Sequence, residues 1–161
     1  MYSYLRGVAV GGIVGKDISV SECGKIDRAY NDGQIGTEDG NYFGGIIYAC
    51  DITNVYNTGK VIGYNYSGGL VGYKLGGTIE NAYNSGEVNT HTEYQLIGSM
   101  KNTTVNNLYN IGDSTKLVAL ENGGDISTVY AVDTVSASDL SNAFTDSDNL
   151  PVIDWSNAPT G

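Results

Sequence analysis

Tyrosine recurs along this sequence at a nearly constant interval, and each time within a similar short phrase. The spacings are 26, 27, 26 and 21 residues. The repeated residues are Tyr30, Tyr56, Tyr83, Tyr109 and Tyr130. The first four open a Tyr-Asn-x-Gly phrase. A fixed period of roughly 20 to 50 residues is the signature of a stacked repeat architecture, so this period constrains the fold strongly while identifying no ligand.

Three apolar columns appear when the repeats are superposed on the tyrosine. Four residues before it lie Ile26, Ile52, Ile79, Val105 and Ile126; one residue before it lie Ala29, Val55, Ala82, Leu108 and Val129; five residues after it lie Ile35, Val61, Val88 and Val135, with Ser114 as the exception. Each unit also has an upstream apolar pair, preceded by Gly-Gly at 11–15, 44–48 and 68–72 and in weaker form at 94–98 and 115–119. Each unit therefore contains three short apolar segments.

Short runs of Val, Ile and Tyr between Gly and Asn residues are typical of β-strands. One such unit cannot bury its apolar side chains alone, whereas identical units stacked about 4.8 Å apart form a continuous core. The sequence thus predicts an all-β fold, a right-handed parallel β-solenoid (β-helix) of about five coils with three short strands per coil. A leucine-rich repeat would need Leu at its fixed positions, and propeller blades run to about 40 residues or more.

The repeat pattern ends after Val135, which divides the chain into a solenoid at 1–135 and a C-terminal cap at 136–161. Within the cap, Leu140, Ala143 and Phe144 have the spacing of one or two turns of amphipathic helix, with Ser138 as its N-cap. A cap of this kind would protect the open end of the stack from edge pairing.

Asparagine and glycine fill the positions between the apolar columns. Asn54, Asn81 and Asn107 share the column two before the tyrosine, broken by Arg28 and Thr128, and a second column holds Asn31, Asn57, Asn84 and Asn110. Corners between strands need a positive φ, which Gly and Asn adopt at little cost. We therefore predict that the asparagines form side-chain ladders and that the glycines of 11–15 are corner residues.

The chain is strongly acidic, with 18 Asp and Glu against 8 Lys and Arg and a net charge of −10. Such a polyanion repels phosphate backbones and anionic lipids, which argues against nucleic acid as a partner. No apolar run has the length of a membrane span, so we predict no direct membrane insertion. Met1 to Tyr4 show no signal peptide, and because the repeats begin by Gly11 we expect the sequence to be part of a longer chain.

The two cysteines, Cys23 and Cys50, lie in the first two repeats at similar distances before their tyrosines. Stacked coils could bring them within disulfide reach, or they could be two buried thiols in the core. The single histidine, His91, cannot complete a zinc site with them and is expected to be an ordinary exposed residue. We predict no metal site and no cofactor.

The third unit resembles a known motif. Its phrases Gly68-Gly69-Leu70-Val71-Gly72 and Ile79-Glu80-Asn81-Ala82-Tyr83-Asn84-Ser85-Gly86-Glu87-Val88 are similar to the GLUG repeat. The resemblance extends over 11–112 and more weakly over 113–135. GLUG repeats occur in large secreted or surface-attached bacterial proteins, including adhesin-like proteins. The resemblance implies an extracellular or cell-surface setting, a spacer or adhesive role without catalysis, and glycans or host surface proteins as partners.

The alternative function is a carbohydrate-active enzyme of β-helix type or a polysaccharide-binding module. Such enzymes use clustered carboxylates, whereas Asp27, Glu80 and Asp125 fall at different or unsupported positions of the repeat. Residues 146–149, Asp-Ser-Asp-Asn, resemble half of a calcium loop but lack the following Gly and the distal Glu, so a solvated acidic turn is the simpler interpretation. We predict no catalytic residues.

The tyrosine column remains as the candidate binding feature. If its rings faced outward, an aromatic stripe could pack against sugar rings or a partner protein. The alternative is that the rings cover one face of each coil and contribute packing area. The candidate binding residues are Tyr30, Tyr56, Tyr83, Tyr109 and Tyr130.

Overall fold

The computed structural model describes residues 10–13, 24–46, 51–92, 94–111, 116–126 and 129–132. Within these ranges the regular elements are all β-strands, as the short Val, Ile and Tyr runs predict. In chain order they are β1 (Val10–Gly11), β2 (Lys25–Asn31), β3 (Ile35–Gly36), β4 (Phe43–Gly44), β5 (Asp51–Asn57), β6 (Val61–Gly63), β7 (Val71–Leu75), β8 (Thr78–Asn84), β9 (Val88–Thr90), β10 (Ile97–Ile111), β11 (Val118–Ile126) and β12 (Val129–Val132). The expected helix around Leu140 and the rest of the cap at 136–161 lie outside the described residues.

The strands form three sheets in which every pair is parallel. Sheet A joins β1 to β4, and a bridge from Gly44 extends it to Gly68. Sheet B has the order β2, β5, β8, β10 and β11, and both β7 and β12 also pair with β10. Sheet C has the order β3, β6 and β9. Strands one repeat apart are therefore neighbours, which confirms the parallel β-solenoid; its handedness stays a prediction.

The solenoid has about three complete turns, fewer than the five coils expected. The first three units each contribute three strands. In the third unit Gly76 and Gly77, both with positive φ, separate β7 from β8, whereas in the fourth unit Asn102 and Thr103 take these places inside the continuous β10. Within the described residues the fourth and fifth units contribute strands to sheet B alone, so the complete turns number about three.

The predicted aliphatic columns meet inside the stack. Ile26, Ile52, Ile79 and Val105 are aligned by strand pairing in sheet B, and so are Ala29, Val55, Ala82 and Leu108. A further column, formed by Ile46, Leu70 and Leu96, comes from the upstream apolar pairs and is linked by backbone hydrogen bonds. Members of these columns from the second to fourth units are fully or almost fully buried. Each buried aliphatic side chain contributes about 1.5–3 kcal/mol, so the core comes from stacking.

In sheet B the backbone of β2, β5, β8 and β10 turns a corner two residues before the repeat tyrosine. The residues there have positive φ, at 56° for Arg28, 55° for Asn54, 49° for Asn81 and 52° for Asn107. Strand pairing skips this position in neighbouring coils. Asn tolerates the left-handed region better than other residues with a Cβ, so the prediction of asparagine corners is confirmed.

Gly12 lies in a bend of the chain, as expected for a corner residue, but its backbone does not have the positive φ on which the prediction rests. Positive φ among the described glycines occurs at Gly36, Gly76 and Gly77. At Gly12, and at its equivalents Gly45 and Gly69, an added Cβ would instead overlap a neighbouring carbonyl and an asparagine side chain. Close approach, and not backbone conformation, is why glycine occupies these three positions.

Candidate functional site

The first three repeated tyrosines form a stack of rings along sheet B. Ring centroids lie 5.0 Å apart between Tyr30 and Tyr56 and again between Tyr56 and Tyr83, with interplanar angles of 8° and 7°. The backbone register continues through Tyr109 to Tyr130; the side chain of Tyr130 lies outside the described part. In-register parallel pairing places each tyrosine directly over its counterpart, as the period predicts.

Burial of the stack changes sharply along the solenoid. Tyr30 is 52% exposed, whereas Tyr56 is 5% exposed and Tyr83 is fully buried. Burial, reinforced by the neighbouring tyrosines, raises the pKa of both Tyr56 and Tyr83. Two of the predicted binding residues thus have the environment of packing residues, and Tyr30 presents its ring to solvent. A binding role for the column stays a prediction.

A hydrogen-bonded asparagine ladder runs beside the tyrosines. We call Asn31, Asn57, Asn84 and Asn110 the inner ladder. The Nδ2 groups donate to the Oδ1 atoms of the next coil toward the C-terminus, at 2.7 Å from Asn31 to Asn57, 2.8 Å from Asn57 to Asn84 and 3.1 Å from Asn84 to Asn110. The amide of Asn57 also donates to the carbonyl of Gly59 at 2.7 Å. Both of its N–H donors are thus satisfied without water.

The Gly-Gly phrase makes room for this ladder. A Cβ on Gly45 would overlap the side chain of Asn57 and the carbonyl of Gly69, and a Cβ on Gly69 would overlap Asn84. The glycine and the asparagine of one unit therefore form a single packing arrangement. This contact explains physically why the repeat combines Gly-Gly with Tyr-Asn-x-Gly.

A second ladder at the corners has the opposite polarity. We call Asn54, Asn81 and Asn107 the corner ladder. Each donates toward the N-terminal coil: Asn107 to Asn81 at 3.0 Å, Asn81 to Asn54 at 3.3 Å, and Asn54 to the carboxylate of Asp27 at 2.9 Å. Hydrogen-bonded amides in a chain polarise one another, so the opposed directions of the two ladders offset their dipoles along the solenoid axis. Both predicted asparagine ladders are confirmed.

Asp27 and Glu80 occupy the same column, contrary to the expectation that they fall at different registers. Strand pairing aligns Asp27 with Thr53 and Thr53 with Glu80. Asp27 pairs with Arg28 at 2.7 Å, and Glu80 accepts a hydrogen bond from Asn106 at 3.3 Å. The intervening Thr53 separates the carboxylates by a whole coil, and each already has a partner.

The described residues also contain an ion pair in which the lysine is buried and the aspartate is partly exposed. Lys74 Nζ lies 2.6 Å from Asp51 Oδ1, with the Lys74 side chain 3% exposed and that of Asp51 38% exposed. Burial raises the pKa of Asp51, but the hydrogen bonds from Lys74 and from the Thr78 backbone N–H, together with the Lys74 charge, outweigh it and leave the pKa below its usual value. The pair acts structurally, because Asp51 links β5 to Lys74 on β7 and to the start of β8.

Sequence reasoning missed an aromatic pair at the edge of sheet C. Tyr64 and His91 stack at a centroid distance of 4.7 Å and an angle of 14°. They border a shallow depression of about 220 Å³ lined by Glu38, Ile62, Gly63, Tyr64, Asn89, Thr90 and His91. His91 is exposed as predicted. Counting eight residues from Tyr30, Tyr56 and Tyr83 reaches Glu38, Tyr64 and His91, and this periodic offset is the signal that could have located the site.

A second aromatic pair lies at the next corner. The rings of Tyr42 and Tyr66 stack at 5.0 Å and 5°, and Tyr73 meets Tyr42 edge-on at 6.5 Å. Tyr42 and Tyr66 have φ values of 65° and 51°, an uncommon conformation for aromatic residues. Tyr66 is 39% exposed and does not line the depression, which makes it a useful comparison with Tyr64.

In the part of the chain that the structure describes, no group of three or more His, Cys, Asp or Glu residues could hold a metal ion. Cys23, Cys50 and the acidic segment 146–149 lie outside the described residues. No helix within the described ranges is long and apolar enough to cross a membrane.

Comparison with known proteins identifies part of the repeat. Residues 63–89 match the family described as the GLUG motif. This segment covers β7, β8 and the first two residues of β9, and so contains most of the third coil, including the inner-ladder residue Asn84. The GLUG resemblance is thereby confirmed over this coil, and the chain contains a GLUG motif at residues 63–89. No curated protein and no solved structure gave a match to the chain.

Proposed function

We propose that this chain is a non-catalytic structural and adhesive module of an extracellular bacterial surface protein, where it serves as a rigid spacer with a binding face. The observation that carries the proposal is the inner ladder. Its side-chain hydrogen bonds join four successive units in one register. A register shift of one residue would break every rung at once, so the stack resists bending and sliding.

The extracellular setting is supported by the GLUG match at residues 63–89 and by the proteins in which such repeats occur. The acidic surface, with a net charge of −10, is consistent with this setting because it keeps a long repetitive protein soluble and limits self-association. A spacer needs these properties more than it needs a reactive centre.

One observation bears on the alternative function, a carbohydrate-active β-helix enzyme. Asp27 and Glu80 share a column on the same sheet. Acid–base hydrolysis of a glycosidic bond needs two carboxylates flanking one bond. Here Asp27 is paired with Arg28, and Glu80 accepts a hydrogen bond from Asn106. These contacts support a structural role for both carboxylates.

One experiment distinguishes the two functions. The purified chain is applied to arrays of glycans and host surface proteins and, in parallel, incubated with a panel of polysaccharides assayed for new reducing ends. Binding without release of reducing ends is the expected result. Polysaccharide cleavage that is lost in the double variant Asp27→Asn, Glu80→Gln would overturn the proposal and establish the enzyme.

A further inference from the structure

We propose that the depression between Glu38, Tyr64 and His91 is a binding site for one sugar unit of an uncharged glycan. The inference deepens the adhesive role proposed above and rests on it. The site is distinct from the tyrosine column, which lies along sheet B. It sits at the end of sheet C and is built from three successive coils.

The backbone holds the aromatic pair in place. The N–H of His91 donates to the carbonyl of Tyr64 at 3.0 Å, and the N–H of Tyr64 donates to the carbonyl of Gly40 at 2.7 Å. The His91 bond follows directly on the pairing of Gly63 with Thr90 at the end of β6 and β9, and the Tyr64 bond ties this segment to the first coil. A ligand would therefore meet a ring that is already positioned, which lowers the entropic cost of binding.

The exposure of Tyr64 leaves its ring available to a ligand. Tyr64 is 46% exposed although His91 covers part of it by stacking. In the preceding coil, the position equivalent to Tyr64 is occupied by Glu38, which has a carboxylate instead of a ring. This side chain lies on the turn closed by the Gly40 N–H and the Thr37 carbonyl at 3.0 Å. The depression thus has an aromatic wall and a carboxylate at its rim.

These groups match the chemistry of a pyranose. Its axial C–H bonds form an apolar face that packs on an aromatic ring, and its hydroxyl groups surround that face. The Glu38 carboxylate accepts hydrogen bonds from hydroxyl groups, and the amide of Asn89 both donates and accepts them. Ile62 adds an apolar side chain to the lining, beside Gly63. A few polar groups around an apolar surface are the usual pattern of a small-molecule site.

The size and charge of the site further restrict the class of ligand that it can bind. The depression of about 220 Å³ is smaller than the roughly 300–1,000 Å³ of pockets for drug-sized molecules, so it suits a single ring. Its lining contains one carboxylate and neither Lys nor Arg. The nearby Lys60 is paired with Glu87 at 2.8 Å. An uncharged sugar fits this environment better than a sialylated or sulfated one, which the acidic protein would repel.

The test uses the single histidine of the chain as a reporter. Its imidazole protons give isolated NMR signals, and they are followed while the methyl glycosides of glucose, galactose, mannose and N-acetylglucosamine are added. One sugar ring makes few contacts, so we expect saturable shifts with affinities of about a millimolar. Polyacrylamide conjugates of the same sugars on an array are expected to bind more tightly through multivalency.

Substitutions test which residues of the depression bind the sugar. Tyr64→Ala is expected to lower array binding at least tenfold, Tyr64→Phe to retain it because the ring remains, and Glu38→Gln to lower it several-fold. Tyr66→Ala is the matched control, because it removes another exposed tyrosine that lies outside the depression. Thermal melting of each variant checks folding, and Tyr64→Leu keeps apolar bulk without a ring if the alanine variant is unstable.

Each other outcome contradicts the inference. It is overturned if no uncharged sugar shifts the His91 signals, if charged glycans or peptides alone bind, or if Tyr66→Ala removes binding while Tyr64→Ala does not. These results leave the module proposal standing as long as the chain binds host proteins or other glycans elsewhere. Release of reducing ends would instead overturn the module proposal itself.

Discussion

Asn57 donates its side-chain amide to Asn84 Oδ1 at 2.8 Å, across 27 residues of sequence. The donor also bonds the carbonyl of Gly59, and its own oxygen accepts the amide of Asn31. Asn57 is fully buried, so these partners replace water completely. One side chain thus joins three coils.

Replacing Asn57 by Ala should therefore destabilise the protein strongly. The change leaves the buried amide of Asn31 and the buried oxygen of Asn84 without their partner, and each unsatisfied buried group costs about 1–3 kcal/mol. We expect a loss of about 2–5 kcal/mol in the free energy of unfolding, measured by urea denaturation. Asn89→Ala, at an exposed position outside both ladders, should change it by less than about 0.5 kcal/mol. Similar losses in both variants would refute the structural role of the ladder.

Gly45→Ala tests the contact between the Gly-Gly phrase and the inner ladder. The new methyl group would overlap Asn57 and the Gly69 carbonyl, and backbone atoms cannot move aside as a flexible side chain would. We expect destabilisation of about 3 kcal/mol or more. Gly24→Ala is the control, because nothing lies within 4 Å of the added group; removing a glycine from an open position should be neutral or slightly stabilising. A stable Gly45→Ala protein would show that the packing is looser than described.

Ile79 tests the aliphatic core. It is fully buried in the column between Ile52 and Val105. Ile79→Asp should prevent cooperative folding, because a buried carboxylate without a partner costs more than a small domain can spare. Ile79→Val should cost about 0.5–1.5 kcal/mol. Circular dichroism melting distinguishes the two, and an unchanged melting temperature in Ile79→Asp would show that the assigned core register is wrong.

Much of the fold can be read from the sequence because parallel, in-register stacking converts a sequence period into a spatial column. Ile52 and Ile79 are 27 residues apart in the chain and adjacent in the sheet. The same reasoning predicts the stack of Tyr56 on Tyr83. The stacking of identical residues can be predicted without knowing the conformation of the loops between them. This is why the asparagine ladders are predictable from the sequence.

Other features escape this reasoning for physical reasons. The partners Gly12–Asn31, Gly45–Asn57 and Gly69–Asn84 touch at separations of 19, 12 and 15 residues, so the variable loop between them hides the contact. The column of Glu38, Tyr64 and His91 changes residue type in every coil and has no visible repeat. The side on which a tyrosine ring is covered depends on neighbouring loops, so the burial of Tyr83 could not be inferred from its period.

The Asp51–Lys74 pair predicts a specific dependence of stability on pH. The folded-state pKa of Asp51 lies below the usual 3.8, so folding favours its ionised form. This contribution is fully present above that value and is lost as the pH falls through the lower folded-state pKa. In Asp51→Asn the acid-induced loss of stability should therefore be shallower below about pH 4, as measured by urea unfolding at successive pH values. Glu87→Gln, in the exposed pair with Lys60, is the control and should leave the pH profile almost unchanged. If the free energy of unfolding fell equally with decreasing pH in the wild-type protein and in Asp51→Asn, the stabilising role of the Asp51–Lys74 pair would be contradicted.

Arg28 marks a place where the stack can be improved. It occupies the corner position held by asparagine in the next three coils, and its φ of 56° is unfavourable for a long side chain. Arg28→Asn would relieve this conformation and add a first rung to the corner ladder above Asn54. It would also remove the exposed ion pair with Asp27, which contributes little. We expect a gain of about 0.5–1 kcal/mol in the free energy of unfolding, with Arg28→Ala giving no gain because alanine tolerates the left-handed region poorly. Equal stability of Arg28→Asn and Arg28→Ala in urea titrations would show that neither the conformation nor the added rung matters at this corner.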